Sequence, residues 1–295
     1  MEVLGVHVSQ PLLAKWCDWL APAVQPFFLP RPFPMELPAE KPAAATTRTP
    51  DLLSRPVGRP DALYDTYEAY NLDTGLDTVW LDELAFGSLP KHTRAQLVRA
   101  QVDHGRGAVP TVRAWSGLLD HRVLRAQADG HRFVWWPSLV TGDREQILSR
   151  VVSKDRESSR HGEVPDQVWR ACASTLPGAR ELAATFAVGS GANCFATVMA
   201  AAGVAAAADT WMQQEPFDSW LAQSTTPGGD DRAPGTVLLW RDKHGVAQHA
   251  AVTIGGGWGL EKPSQAWSTP RAVLRVTDII RTTRTPGRRL QRHAL

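Results

Sequence analysis

Between residues 234 and 276 the apolar positions fall into short runs punctuated by glycine and turn-forming residues. Residues 235–240, 248–254 and 258–261 read as three strands, with turns at 241–245 and 255–257, and residues 272–276 give a fourth. In the second run, alternation puts His249, Ala251 and Thr253 on one face and Ala250, Val252 and Ile254 on the other. Upstream, residues 185–193 form a glycine-punctuated loop, and residues 195–208 are a strong helix-forming stretch. Residues 164–182 suggest a helix in two pieces, broken at Pro177-Gly178. A helix followed by an antiparallel meander predicts an α+β arrangement.

The first 160 residues carry weaker signals. Eleven of the 22 prolines lie within residues 1–60, which predicts a largely extended or disordered segment over 1–61. A short helix is expected near residues 12–20. Globular patterning starts near residue 62. A buried element is expected at Val79-Trp80-Leu81, helices over 93–103, 118–126 and 144–152, and a short strand at residues 133–136. The expected division is therefore 1–61, a mostly helical globular region 62–160, a domain over 161–280, and a basic tail 281–295.

Composition changes this picture little. At 295 residues, with 43% hydrophobic and 21% charged positions, the chain has enough apolar material for an ordinary globular core. A net charge of +2 is too weak a bias to point to nucleic acid or an anionic membrane. Five arginines lie between positions 281 and 292, but without interleaved aromatic residues they suggest a solvated tail. No run approaches the roughly 20 apolar residues of a membrane span, and the order of charges near Met1 does not suit a secretory signal. Cys17, Cys172 and Cys194 cannot make a disulfide framework, so a reducing, cytoplasmic setting is expected. His92, His104, His121 and His131 lack ligand spacing with carboxylates. No metal or cofactor is expected.

Cys194 carries the chemistry. It follows Asn193, a favoured N-cap type, at the start of the expected helix. The helix dipole and unpaired N–H groups there favour a thiolate, and the same groups suit an oxyanion, so Asn193 and its neighbours are candidate oxyanion and substrate contacts. Gly189 and Gly191 would admit a substrate close to the backbone. His249 lies in a strand of small residues, a position suited to a general base. If the next hairpin folds about Gly255, His249 faces Glu261, which would orient the imidazole. A one-residue slip would instead offer Ser264 or Gln265, and the structural alternative pairs Glu261 with Lys262 or Arg271 at the surface. Trp211, Trp258 and Trp267 are groove-wall candidates, with core packing as the alternative.

Asn193-Cys194 at a helix start, Pro234-Gly235-Thr236-Val237 opening a strand, and His249 in the next strand together resemble NlpC-type papain-like cysteine peptidases. In that family a polar residue about a dozen positions after the histidine completes the site, and Glu261 stands twelve positions after His249. The family usually has Asp at positions 193 and 236, and His, Asn or Gln at 261, so this chain departs at all three. The resemblance covers residues 185–280. It implies a papain-like fold and hydrolysis of a peptide-like amide, with Cys194 as nucleophile, His249 as base and Glu261 as orienter. Relatives acting as acyltransferases or deamidases keep acyl transfer open. A catalytically silent papain-like scaffold is a third reading. The expected partner is a peptide-like or acyl substrate rather than nucleic acid or membrane, and the sequence is silent on oligomeric state.

Overall fold

The computed structural model describes residues 1–30, 46–48, 62–73 and 75–295. The chain divides into two compact units, Gln10–Arg150 and the combination of Met1–Ser9 with Val151–Leu295. This differs from the division expected from composition. Strands β1 (Glu2–Val3) and β2 (Val6–His7) form a hairpin whose Leu4 carbonyl accepts from Ser159 N–H at 2.8 Å, which ties the first residues to the second unit.

In Gln10–Arg150, helix α1 (Gln10–Leu20) buries Leu13, Trp16 and Leu20. Strands β3 (Val24–Leu29), β4 (Thr46–Arg48) and β5 (Asp77–Asp82) form an antiparallel sheet with β5 in the middle. Helix α2 (Lys91–Asp103) is fixed to β3 by the buried Gln101 side chain, which accepts from Phe28 N–H and donates to Phe28 O. Residues 1–30 are thus helical and strand-forming, because the prolines at 11, 22 and 26 fall in a first helical turn, a connection and an edge strand. The rest of the expected Pro-rich segment, apart from residues 46–48, lies outside the described residues. The expected strand at 133–136 is not one. Phe133 to Trp136 is buried beside a single bridge, Thr111 to Arg132, without a ladder.

The larger unit is α+β. Strands β6 (Thr226–Pro227), β7 (Pro234–Arg241), β8 (Ala247–Gly255), β9 (Trp258–Glu261), β10 (Ala272–Arg275) and β11 (Arg289–Ala294) form one antiparallel sheet in the order β10-β9-β8-β7-β11-β6. Helix α3 (Asp166–Cys172) and helix α4 (Cys194–Ala201) belong to one face, where Val198, Met199, Val237, Leu239, Ala250, Val252 and Leu260 form a common core. Helix α5 (Gln214–Ser224) adds Phe217, whose ring stacks on Phe195 at 4.3 Å. Helix α6 (Val276–Thr283) covers the other face with Val276 and Ile279 against Leu238, Trp240, Ala251 and Leu274. Cover on both faces explains why β7 and β8 read as nearly continuous apolar runs.

Residues 289–294 are not a solvated tail. They pair with β7 over six residues, Leu290 packs against the second core, and Arg292 makes a bidentate ion pair with Asp231 at 2.7 and 2.8 Å. Among the described residues no helix is long and apolar enough to cross a membrane.

Candidate active site

The site begins with the end of a helix. Asn193 caps α4: its Oδ1 accepts from Ala196 N–H at 3.0 Å, while its Nδ2 donates to Met212 O at 2.8 Å. Both polar ends of the side chain are therefore committed to the fold. An oxyanion contact at this helix start would thus come from backbone N–H groups rather than from the Asn193 side chain. The donor available at this point is the backbone N–H of Cys194, which at the first helical position lacks an intrahelical acceptor. Ahead of it, Gly191 takes φ 107°, a conformation that suits glycine, and its N–H donates to Gln265 O at 3.0 Å. The nucleophile loop is thereby tied to the loop that follows β9.

The β8–β9 hairpin turns through Gly256 and Gly257, with φ of 63° and 79°, the backbone of a tight two-residue hairpin. The turn lies at Gly256-Gly257 rather than about Gly255, and an irregularity of one residue between Thr253 and Gly255 takes back part of that offset, so Glu261 pairs with Ala251 rather than with His249. The shift is two residues from the expected pairing, which leaves Glu261 on the same face. It reaches His249 diagonally, with Nε2 donating to Oε2 at 3.2 Å. Both side chains are buried, 7% and 5% exposed. The Trp240 ring, 5.4 Å from the imidazole, closes the side toward β7.

Cys194 approaches from the opposite face, within the core that contains Ala250 and Val252. Pairing with β9 stops at Ala251, so that edge of β8 is open at His249 and Ala250. There the His249 ring and the backbone N–H groups of Ala250 and Phe195 lie near enough to the thiol to favour its ionised form. With Nε2 turned to Glu261, Nδ1 is the ring nitrogen left for sulfur.

Charge follows from this packing. Burial alone would raise the Cys194 thiol, but the positive ring of His249, its hydrogen bond and the two backbone N–H groups outweigh it and lower the pKa. Burial likewise works against a charged His249, yet the facing thiolate and Glu261 raise it to about 10. Each group favours the ionised form of the other, the condition for a thiolate–imidazolium pair. The remaining thiols behave oppositely. Burial raises Cys17, and it raises Cys172, whose Sγ donates to Trp169 O.

Cys194, His249 and Glu261 are thus brought together. Among the described residues the His249 Nε2 partner is Glu261, not Ser264 or Gln265; the Ser264 hydroxyl accepts from Ala266 N–H, and the Gln265 backbone carbonyl accepts from Gly191. Neither Lys262 nor Arg271 pairs with Glu261. The Arg271 guanidinium is buried and donates to Thr185 Oγ1 and Ala208 O. Trp258 and Trp267 are buried, with the Arg275 guanidinium 3.6 Å above the Trp258 ring centroid, so neither is an open groove wall.

Lys262, a surface partner for Glu261 on the sequence alone, is instead buried. Its fully buried ammonium donates to Ser264 O, Ala266 O and Thr269 Oγ1 at 2.6, 2.9 and 2.7 Å, folding residues 263–269 around itself. A lone lysine after a strand gives no sign of this in one dimension. Among the described residues, no cluster of His, Cys, Asp or Glu could hold a metal ion. No family model, curated protein or solved structure matches the chain.

Proposed function

We propose that the Val151–Leu295 unit is a papain-like cysteine hydrolase of NlpC type that cleaves a peptide-like amide through an acyl-enzyme. The observation that carries this reading is the contrast among three thiols. Only Cys194, at the helix start beside a buried His249–Glu261 pair, is held below its ordinary pKa.

In this reaction the Cys194 thiolate adds to the amide carbon, and the new oxyanion takes the N–H of Cys194. His249, protonated and steadied by Glu261, gives its proton to the leaving nitrogen as the C–N bond breaks. Water then loses a proton to His249 and attacks the thioester carbon. The thiolate departs and a carboxylic acid is released. An amine replacing water at this last step would make the same unit an acyltransferase.

The burial of Cys194, 7% exposed, favours a second reading, a silent scaffold that keeps the triad only as packing. Iodoacetamide labelling at pH 6 with peptide mapping separates the two. Catalysis requires Cys194 to react at least tenfold faster than Cys17 and Cys172, with the advantage lost in His249→Ala. Three slow thiols of similar rate would remove the catalytic reading.

A further inference from the structure

Behind the His249–Glu261 pair, on the α6 face of the sheet, lies a cavity of about 470 Å³, within the roughly 300–1,000 Å³ range of ligand pockets. Its floor includes His249, Glu261 and Leu274, and its rim includes Arg288; Cys194 does not line it. Glu261 is 5% exposed and gives only Oε2 to His249, so Oε1 has no hydrogen-bond partner among the described residues. A carboxylate oxygen that borders an open cavity accepts from whatever donor the cavity holds, water or ligand.

The wall charges narrow what that donor belongs to. A plain cation is disfavoured by Arg156 and Arg288, and a plain anion by Asp155, Glu157 and Glu261. Several of these charges are already engaged. The Arg156 guanidinium donates to Val152 O and Ser268 O, and Glu157 pairs with Arg281. The Arg288 guanidinium has no hydrogen-bond or ion-pair partner among the described residues. The cavity therefore offers an unfilled acceptor on its floor and an unfilled guanidinium on its rim.

We propose that this cavity binds an amino acid or short peptide as a zwitterion, its ammonium on Glu261 Oε1 and its carboxylate on Arg288. The occupant controls the thiol, a consequence that rests on the function proposed above. An ammonium on Glu261 competes with His249 for the carboxylate, weakens the imidazolium and returns Cys194 toward a neutral thiol.

Calorimetric titration of the full chain carrying Cys194→Ala, with alanine, dialanine and trialanine, tests the binding. Each is compared with its C-terminal amide and its N-acetyl form. At least one zwitterion should bind tenfold or more tightly than either single-charge form. Arg288→Gln, at an exposed position, should abolish the advantage over the amide, and Glu261→Gln the advantage over the N-acetyl form. Equal affinities across the forms, no binding by any of the three peptides, or an advantage unaltered in Arg288→Gln would overturn the proposal. In the wild-type chain the preferred zwitterion should slow iodoacetamide labelling of Cys194 at pH 6 severalfold. Zwitterion binding together with an unreactive Cys194 would leave the ligand site standing while the hydrolase reading falls.

Discussion

Glu261 lies one ring away from the sulfur, so its charge reaches Cys194 through the protonation of His249. The sign of its removal follows. Glu261→Gln keeps the side-chain shape but withdraws a negative neighbour from the imidazolium, so the His249 pKa falls from about 10. With less positive charge beside it, the thiol pKa rises. In a pH profile of Cys194 alkylation the acid limb should move to higher pH by about one to three units, with a lower rate at pH 6. An unmoved limb would show that Glu261 does not tune the pair. Asn193 acts by geometry instead. Asn193→Ala removes a cap and leaves Met212 O without its donor, which should cost about 1–2 kcal/mol in urea unfolding. Cys194, His249 and Glu261 were legible as residues because a capped cysteine, a histidine among small strand residues and a carboxylate across a glycine turn each leave a local trace. Their exact pairing was not. A turn placed at Gly256-Gly257, combined with a one-residue irregularity beside it, moved the register by two, and only the even size of the net shift kept Glu261 on the right face.

At the level of elements, β7, β8 and β9 announce themselves through apolar runs bounded by Arg241–Gly245 and Gly255–Gly257. Strand β11 does not. Within Arg289–Ala294 its large apolar side chain is Leu290, and its strand character comes from β7 beside it and Asp231 facing Arg292. A long-range partner leaves no periodicity in the segment it recruits. The loop after β9 is similar, because its organiser is a charge inside the protein. Lys262→Met should leave two carbonyls and a hydroxyl without their donor, destabilising the chain by about 2–4 kcal/mol in urea unfolding. The same change should slow Cys194 alkylation, since the loop's Gln265 carbonyl holds Gly191 ahead of the nucleophile. Loss of stability with full thiol reactivity would confine Lys262 to a structural role.

For the whole molecule, sheet closure depends on residues far apart in sequence. Truncation after Arg288 removes six residue pairings from β7 and exposes its edge. The truncated chain should melt at lower temperature and scatter light on heating, whereas a dispensable tail would leave both unchanged. The two-unit division went unread from composition for a related reason. Met1–Ser9 buries Val3, Leu4, Val6 and Val8, but nothing within so short a segment names its partner, which lies in the unit that ends at Leu295 and includes Ser159. The contact with Ser159 also sets an order of events during synthesis. At roughly 5–20 residues per second, the β1–β2 hairpin is synthesised about eight to thirty seconds before Ser159 exists to receive it. In the interval Gln10–Arg150 is translated in full, so the nascent chain keeps one end of an unfinished fold waiting while another unit is completed in between.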